Sequence, residues 1–200
     1  MTTGIVLAGG ASRRFGCRKA AVELDGRPLI ETVCQKVRTV CADLVVVSSE
    51  PFNGLDSDIR TVSDIRPGCG PLGGIHTGLH YTTSSHALVV ACDMPFLSEP
   101  LLQYMVEQSS RGYDVVVPRI GEFIEPLHAV YARELLGRAE KLIDAGERRV
   151  FALFDGAAVH EVDSATVRRF DPEQMSFFNL NTQTDLARAR RFIQAAEHER

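Results

Sequence analysis

The segment Ala87-Leu88-Val89-Val90-Ala91 carries no polar side chain and is too short for a helix of ordinary length. A strand that is apolar at every position cannot turn one face to water, so both faces must be covered. Gly4-Ile5-Val6-Leu7-Ala8, which runs into Gly9-Gly10, and Leu44 to Val47 have the same character. Ile59 to Val62, Asp114 to Val117 and Leu127 to Tyr131 read as further strands. Between the strands the period changes. Leu29, Ile30, Val33, Val37, Val40 and Cys41 recur at helical spacing behind Pro28. Ser98 is placed to cap a helix that turns Leu101, Leu102, Met105 and Val106 inward. Arg133 to Ala145, closed by Gly146, reads as a helix. So does a segment from Thr182 with Leu186, Ala189, Phe192 and Ile193 on its apolar side. Arg66 to Gly74 is too rich in Gly and Pro to be regular throughout, and a helix follows it to about Tyr81. Alternating strands and helices predict an α/β fold, a Rossmann-like three-layer sandwich around a mostly parallel central sheet.

The chain has 200 residues, with no repeat, low-complexity tract or linker, so one domain over 1–200 is the simplest division. Apolar residues make up 44%, enough for a core without staples. A net charge of −4 excludes a basic coat for nucleic acid. No apolar run approaches the ~20 residues of a membrane span. Met1-Thr2-Thr3-Gly4-Ile5 lacks a basic leader region. The expectation is a soluble cytoplasmic protein without nucleic-acid or membrane partners. Cys17, Cys34, Cys41, Cys69 and Cys92 are odd in number and scattered, which fits buried thiols in a reducing compartment. Cys34 and Cys41 fall on one face of the first helix.

In parallel sheets ligands bind beyond the carboxyl ends of the strands. That edge collects the segment from Gly9 and the segment from Cys92. After Gly9-Gly10, Arg13, Arg14, Arg18 and Lys19 place four cations within seven positions. Glycines let backbone N–H groups encircle an anion, and clustered cations suit a polyphosphate. A plain glycine turn with solvated basic residues is the alternative. In this loop neither GxxxxGK[ST] nor GxGxxG is present. Asp93 follows an apolar strand directly, and its carboxylate suits magnesium. It could instead be a turn or helix-capping aspartate. His76 and His80 are four apart on a helix, but no glutamate sits between them as in HExxH.

These residues carry a resemblance. Leu7-Ala8-Gly9-Gly10-Ala11-Ser12-Arg13-Arg14-Phe15-Gly16-Cys17-Arg18-Lys19 is similar to the LAGGxSxRMGxxK signature of nucleotidyltransferases. Asp64 with Gly70-Pro71-Leu72-Gly73-Gly74 resembles a D…GPLxG segment, and Cys92-Asp93-Met94-Pro95-Phe96 a CDxP(F/Y) element. Glu125-Pro126-Leu127-His128 with Tyr131 resembles EPLxAxY. The late pair, Gly146-Glu147-Arg148-Arg149-Val150 and Phe178-Asn179-Leu180-Asn181-Thr182, favours the molybdenum cofactor guanylyltransferase family. The matches run in family order from Gly4 to about Leu186.

The resemblance implies a nucleotidyltransferase-type sandwich that moves GMP from GTP to the phosphate of molybdopterin, releasing pyrophosphate, with Mg²⁺ as cofactor. It implies that Leu7, Ala8, Gly9 and Gly10 hold GTP, that Lys19 and Arg13 meet its phosphates, and that Asp64 contacts the nucleoside. Gly70 to Gly74 would admit the base closely. Asp93 would hold the Mg²⁺, so the catalytic set is Lys19, Asp93 and Arg13. Arg148, Arg149, Asn179 and Asn181 would bind molybdopterin, with both amides on one face of a short strand. Asn181 could equally cap the helix from Thr182, and the arginines could be solvated. The N-terminal part would thus bind nucleotide and the C-terminal part the acceptor. A phosphate acceptor is already ionised near neutral pH and needs no strong base. Phe15 stands where Met is common, Ser48 where an asparagine often meets nucleotide, and Gln183 for a frequent proline. Rival readings are a cytidylyltransferase using CTP on the same pterin, a sugar-1-phosphate enzyme, and a non-catalytic nucleotide or cofactor-delivery module. Transient contact with molybdoenzymes or cofactor chaperones is compatible with catalysis.

Overall fold

A computed structural model describes residues 2–9, 19–49, 52 and 55–198. The central sheet begins with β1 (Thr2–Leu7), buried at all six positions. Its parallel neighbours are β4 (Asp43–Val47) on one side and β6 (His86–Ala91) on the other. β5 (Arg60–Val62) extends the sheet beyond β4. On the far side, β9 (His128–Ala132) lies antiparallel between β6 and β7 (Val115–Ile120), and β10 (Val159–Val162) closes that edge parallel to β7. The order is therefore β10-β7-β9-β6-β1-β4-β5, and β8 (Phe123–Ile124) folds back on β7 as a short hairpin. Among the described residues, β9 alone on the main path opposes its neighbours.

The unbroken apolar strands have the predicted cause. Val6, Leu44, Val46, Leu88 and Val90 join a core with α1 (Leu29–Arg38) and α3 (Glu99–Ser109). Ile5, Leu7, Val45, Val47 and Val89 alternate with them and enter a second core with α2 (Gly70–Tyr81) and α4 (Leu136–Asp144). Successive side chains thus feed opposite layers, and each layer removes its apolar face from water. Ser98 caps α3 as expected: its Oγ accepts from Leu101 N at 3.4 Å and donates to Phe170 O at 2.8 Å.

Three glycines let helices sit unusually close to β1. A Cβ on Gly4 would lie 2.3 Å from Val37 Cγ1 of α1. On the opposite face, a Cβ on Gly78 would lie 2.6 Å from Ile5 Cδ1, and one on Gly74 3.1 Å from Leu7 Cδ2. The Gly/Pro stretch is resolved differently from the sequence expectation. α2 starts inside it, at Gly70 with Pro71 in the first turn, because a proline N–H is not needed there.

Elements not anticipated are the hairpin of β2 (Glu23–Leu24) and β3 (Arg27–Pro28), β8, β10 and α5 (Ser164–Phe170). The β2–β3 turn holds Asp25 at φ +53° and Gly26 at φ +72°, the left-handed pair of a type I′ turn. Val22 and Leu24 pack with Leu180, Leu186 and Ala189 in a third, small core under α6 (Gln183–His198). Cys34 and Cys41 are both buried, and burial pushes both thiols up to about 12, so neither is a thiolate near neutral pH. Cys41 lies past the end of α1, in the turn to β4, rather than on its face. Cys17 lies outside the described residues. No described helix is long and apolar enough to cross a membrane.

Candidate active site

Strand order reverses at β1 and β6: from β1 the chain builds outward through β4 and β5 on one side and from β6 on the other. Such a switch opens a crevice at the carboxyl ends of the two strands. Here Leu7 pairs with Ala91, Cys92 N donates to Leu7 O at 3.1 Å, and Ala8 N donates to Val47 O at 2.9 Å. The entry to the glycine loop and the Cys92-Asp93 turn are therefore hydrogen-bonded neighbours. Gly9 is exposed and Asp93 half-buried at this edge. Gly10 and Arg13 lie outside the described residues. Lys19 opens a single 3₁₀ turn to Ala21, and only its backbone is described.

Asp64 stands beyond β5 on the same side. Its Oδ1 accepts from Arg66 N at 2.9 Å and from Thr77 Oγ at 2.8 Å, and Thr77 Oγ accepts from Ile65 N at 3.0 Å. These bonds seat the loop on α2. The glycines of Gly70 to Gly74 have a packing task that the sequence reading missed. A Cβ on Gly73 would stand 2.8 Å from Arg66 O, so Gly73 holds this loop down while Gly74 faces Leu7. Ser48 is buried at the end of β4, its N–H on Val62 O at 2.9 Å.

The late asparagines do not lie on one face of a short strand, as the sequence predicts. No strand forms before them. A 3₁₀ turn, Met175–Phe177, is followed by an irregular segment, because Phe177 and Phe178 serve different clusters. Phe177 lies against His128 at 5.1 Å, and Phe178 against Phe96 at 5.7 Å and Phe192 at 5.8 Å. Leu180 between the asparagines is fully buried, and its N–H donates to Asp93 O at 2.9 Å. Asn179 and Asn181 thus flank a residue stitched to the aspartate. The start of α6 is a reciprocal cap. Asp185 Oδ2 accepts from Thr182 N at 2.8 Å and Asn181 N at 3.0 Å, while Thr182 Oγ accepts from Asp185 N at 3.1 Å. The cap is Thr182 rather than Asn181.

Arg148 and Arg149 sit elsewhere, past the end of α4 on the sheet face that carries α2. Arg148 donates to Ile143 O at 3.3 Å and Glu147 O at 2.8 Å. Arg149 donates to Glu147 Oε2 at 2.6 Å. Two backbone amides and the Arg149 guanidinium hold the Glu147 carboxyl down at about 2. The structure groups the arginines with each other and with Glu147; the asparagines lie with the third core, on the α3 side.

Glu125 is a site candidate that the residue-by-residue reading passed over, though its Glu-Pro-Leu-His motif was visible. β6 and β9 pair Val90 with His128, and Ala91 N donates to Leu127 O at 3.1 Å. Glu125 opens the turn into β9, its O accepting from His128 N at 3.2 Å, and its carboxyl is close enough to Asp93 for the two charges to interact. Glu125 Oε1 accepts from Leu127 N at 3.2 Å. Burial, helped by the Asp93 charge, pushes its carboxyl above the usual range. Among the described residues no group of three or more His, Cys, Asp or Glu is placed to hold a metal. A cation here would rest on one or two carboxylates and complete its shell with water and phosphate, as magnesium does. Asp93 fits that donor chemistry. His76 and His80 lie away from this edge, beside Arg66 and Glu140.

A strand end leading into glycines, beside a carboxylate at the switch point of a mostly parallel sheet, is the arrangement of a nucleotide-handling α/β enzyme. Residues 4–162 match the MobA-like NTP transferase domain. The protein named "Probable molybdenum cofactor guanylyltransferase" in Pelotomaculum thermopropionicum is 39% identical over 188 residues, 94% of this chain and 91% of that one. The molybdenum cofactor guanylyltransferase of Desulfosudis oleivorans is 38% identical over 194 residues, 96% of each chain. The crystal structure of molybdopterin-guanine dinucleotide biosynthesis protein A from Archaeoglobus fulgidus superposes with a TM-score of 0.83 at 30% identity, covering 97% of this chain and all of that one. The chain belongs to the molybdenum cofactor guanylyltransferase family and is a nucleotidyltransferase.

Proposed function

We propose that this enzyme transfers GMP from GTP to the phosphate of molybdopterin, yielding molybdopterin guanine dinucleotide and pyrophosphate in the cytoplasm. The observation that supports the reading is the junction at Leu7 and Cys92, where the strand that leads into the glycine segment is bonded to the turn that carries Asp93. The relatives' names and the solved neighbour support guanine as the base and the pterin as the acceptor. The N-terminal part, with Leu7, Ala8, Gly9, Gly10, Lys19 and Asp64, is the donor side. The C-terminal part is the acceptor side, with Asn179 and Asn181 beside the Asp93 turn; Arg148 and Arg149, tied to Glu147 on the other sheet face, lie apart from them.

The chemical obstacle is charge, because one phosphate must approach three others. Glycine-loop N–H groups, with Lys19 and Arg13, lower that repulsion and fix the donor in line for attack. Asp93 would hold Mg²⁺, which when bound neutralises phosphate charge. Because the acceptor phosphate is ionised near neutral pH, the chain's residues orient and neutralise rather than remove a proton.

The test is thermal stability with Mg²⁺ and, separately, GTP, CTP, ATP or UTP at equal concentration. A ligand at about 100 times its Kd adds ~2.7 kcal/mol to the folded state. A GTP-selective shift, followed by dinucleotide formation from molybdopterin, is expected. A CTP-selective shift would replace guanylyl with cytidylyl transfer.

A further inference from the structure

The sheet order divides the crevice at Asp93. β1, β4 and β5 lie on the side of the glycine loop and Asp64, and β9, β7 and β10 lie on the other. On that other side one exposed aromatic stands over the edge. Phe123, at the tip of the β7–β8 hairpin, is 80% exposed, whereas Ile65, Phe151 and Phe192 reach 39%, 48% and 38%. The hairpin is firmly tied. Arg119 grips Glu161 of β10 with two bonds, of 2.5 and 2.8 Å. Gly121 N donates to Ser164 Oγ at 2.9 Å, Ser164 Oγ donates to Arg119 O at 2.8 Å, and Glu125 N donates to Pro118 O at 3.2 Å. An apolar ring is thus held out in water on a braced support. Ile124 packs into the core of the α2–α4 layer, and its neighbours Phe123 and Glu125 flank it in sequence. Glu125 opens the turn into β9, its O accepting from His128 N at 3.2 Å; its carboxyl is close enough to Asp93 for the two charges to interact, and one of its oxygens is engaged by Leu127 N.

A pterin is a flat fused ring with a ring N–H beside an exocyclic amino group. A carboxylate matches two adjacent donors, and an aromatic face matches a flat ring. We propose that Phe123 and Glu125 form the ring-binding wall of the acceptor site: Phe123 stacks on the pterin and Glu125 accepts hydrogen bonds from its N–H edge. This rests on the acceptor assigned above. Guanine offers the same edge, so the two rings must be separated by measurement.

The variants are Phe123→Ala, Phe123→Tyr and Glu125→Gln, with the dissociation constants of Mg²⁺-GTP and of molybdopterin measured separately, the latter by pterin fluorescence. Phe123→Ala and Glu125→Gln should each weaken molybdopterin about tenfold to a hundredfold, with GTP affinity unchanged within about twofold. Phe123→Tyr should restore most of the stacking. Equal weakening of GTP would overturn the proposal by assigning Glu125 to guanine or to the metal. Unchanged affinity for both ligands would overturn it as well. Phe123→Ala, at an exposed tip, decides the stacking half even if Glu125→Gln unfolds. A wild-type enzyme that binds GTP but not molybdopterin would overturn the acceptor reading itself, and this wall with it.

Discussion

The backbone N–H of Leu180 donates to the carbonyl of Asp93 at 2.9 Å, so the aspartate at the donor crevice and the asparagine segment share one joint. Asp93→Asn leaves that backbone bond intact while removing the negative charge that suits a metal. Transfer should fall about a hundredfold to a thousandfold, the scale of losing one electrostatic element of a transition-state site. The melting temperature should stay close to wild type. Pyrophosphate release measures the first, calorimetry the second. A folded variant with near-normal turnover would remove Asp93 from the reaction.

Gly78→Ala should destabilise the fold. Its new methyl would meet Ile5 at 2.6 Å, and Ile5 is fully buried and braced by the second core. The cost expected for such overpacking is about 1–3 kcal/mol, read as a lower urea midpoint at constant m. Gly112→Ala, at a φ of +85° with open space around it, is a useful contrast. It should suffer only from backbone strain and leave nucleotide affinity alone.

Thr182→Ala removes half of the reciprocal cap at the start of α6. The loss should be about 1 kcal/mol of stability. Asp185 also holds Asn181 N at 3.0 Å, so loosening the cap should raise KM for the acceptor more than KM for GTP. Equal rises in the two KM values would argue that the asparagines do not serve the acceptor.

His128 makes the protein sensitive to acid. Its ring is completely buried, and neither nitrogen has a hydrogen-bond partner among the described residues. Burial pulls its pKa down to about 4, opposed by Asp171. In the unfolded chain it returns to the ordinary histidine value, so between about pH 6.5 and 4 the unfolded state binds the extra proton. The stability it confers is complete above that window and is lost as pH falls through it, about 3 kcal/mol in all. Chemical denaturation across pH 4–7 should show this slope in wild type and a flatter one in His128→Leu. Parallel curves would place the acid sensitivity elsewhere.

Apolar continuity made most of the sheet legible, because strands covered on both faces need uninterrupted side chains such as Val89 and Val90. The short elements escaped. β10 has the mixed pattern Val-His-Glu-Val of an edge strand, and β8 is only Phe123–Ile124. Asp25-Gly26 is a turn signal that the sequence does carry, between Glu23-Leu24 and Arg27-Pro28. At the site, Asp93 was recognisable because it follows an apolar strand at a known edge. Glu125 was not, because its position comes from the pairing of β9 with β6, a long-range fact without a local signature. Gly73 and Gly74 look like loop glycines in the sequence, and only the proximity of Arg66 and Leu7 shows that they are helix-packing residues. Arg148 and Arg149 resemble a phosphate grip, yet their partners are the carbonyls of Ile143 and Glu147 and the Glu147 carboxylate.

The reversal of β9 has a wider consequence. A parallel strand offers the crevice only the residues that follow it, and a helix must then carry the chain back. A reversed strand offers the residues that precede it. The run from Arg119 through Leu127 therefore crosses the mouth of the site in one short passage, with no crossover attached. That passage can lengthen, shorten or exchange side chains without disturbing the helices that press on β1. On the acceptor wall proposed above, the architecture separates what can vary, the choice of acceptor, from what must stay constant, the handling of the nucleotide.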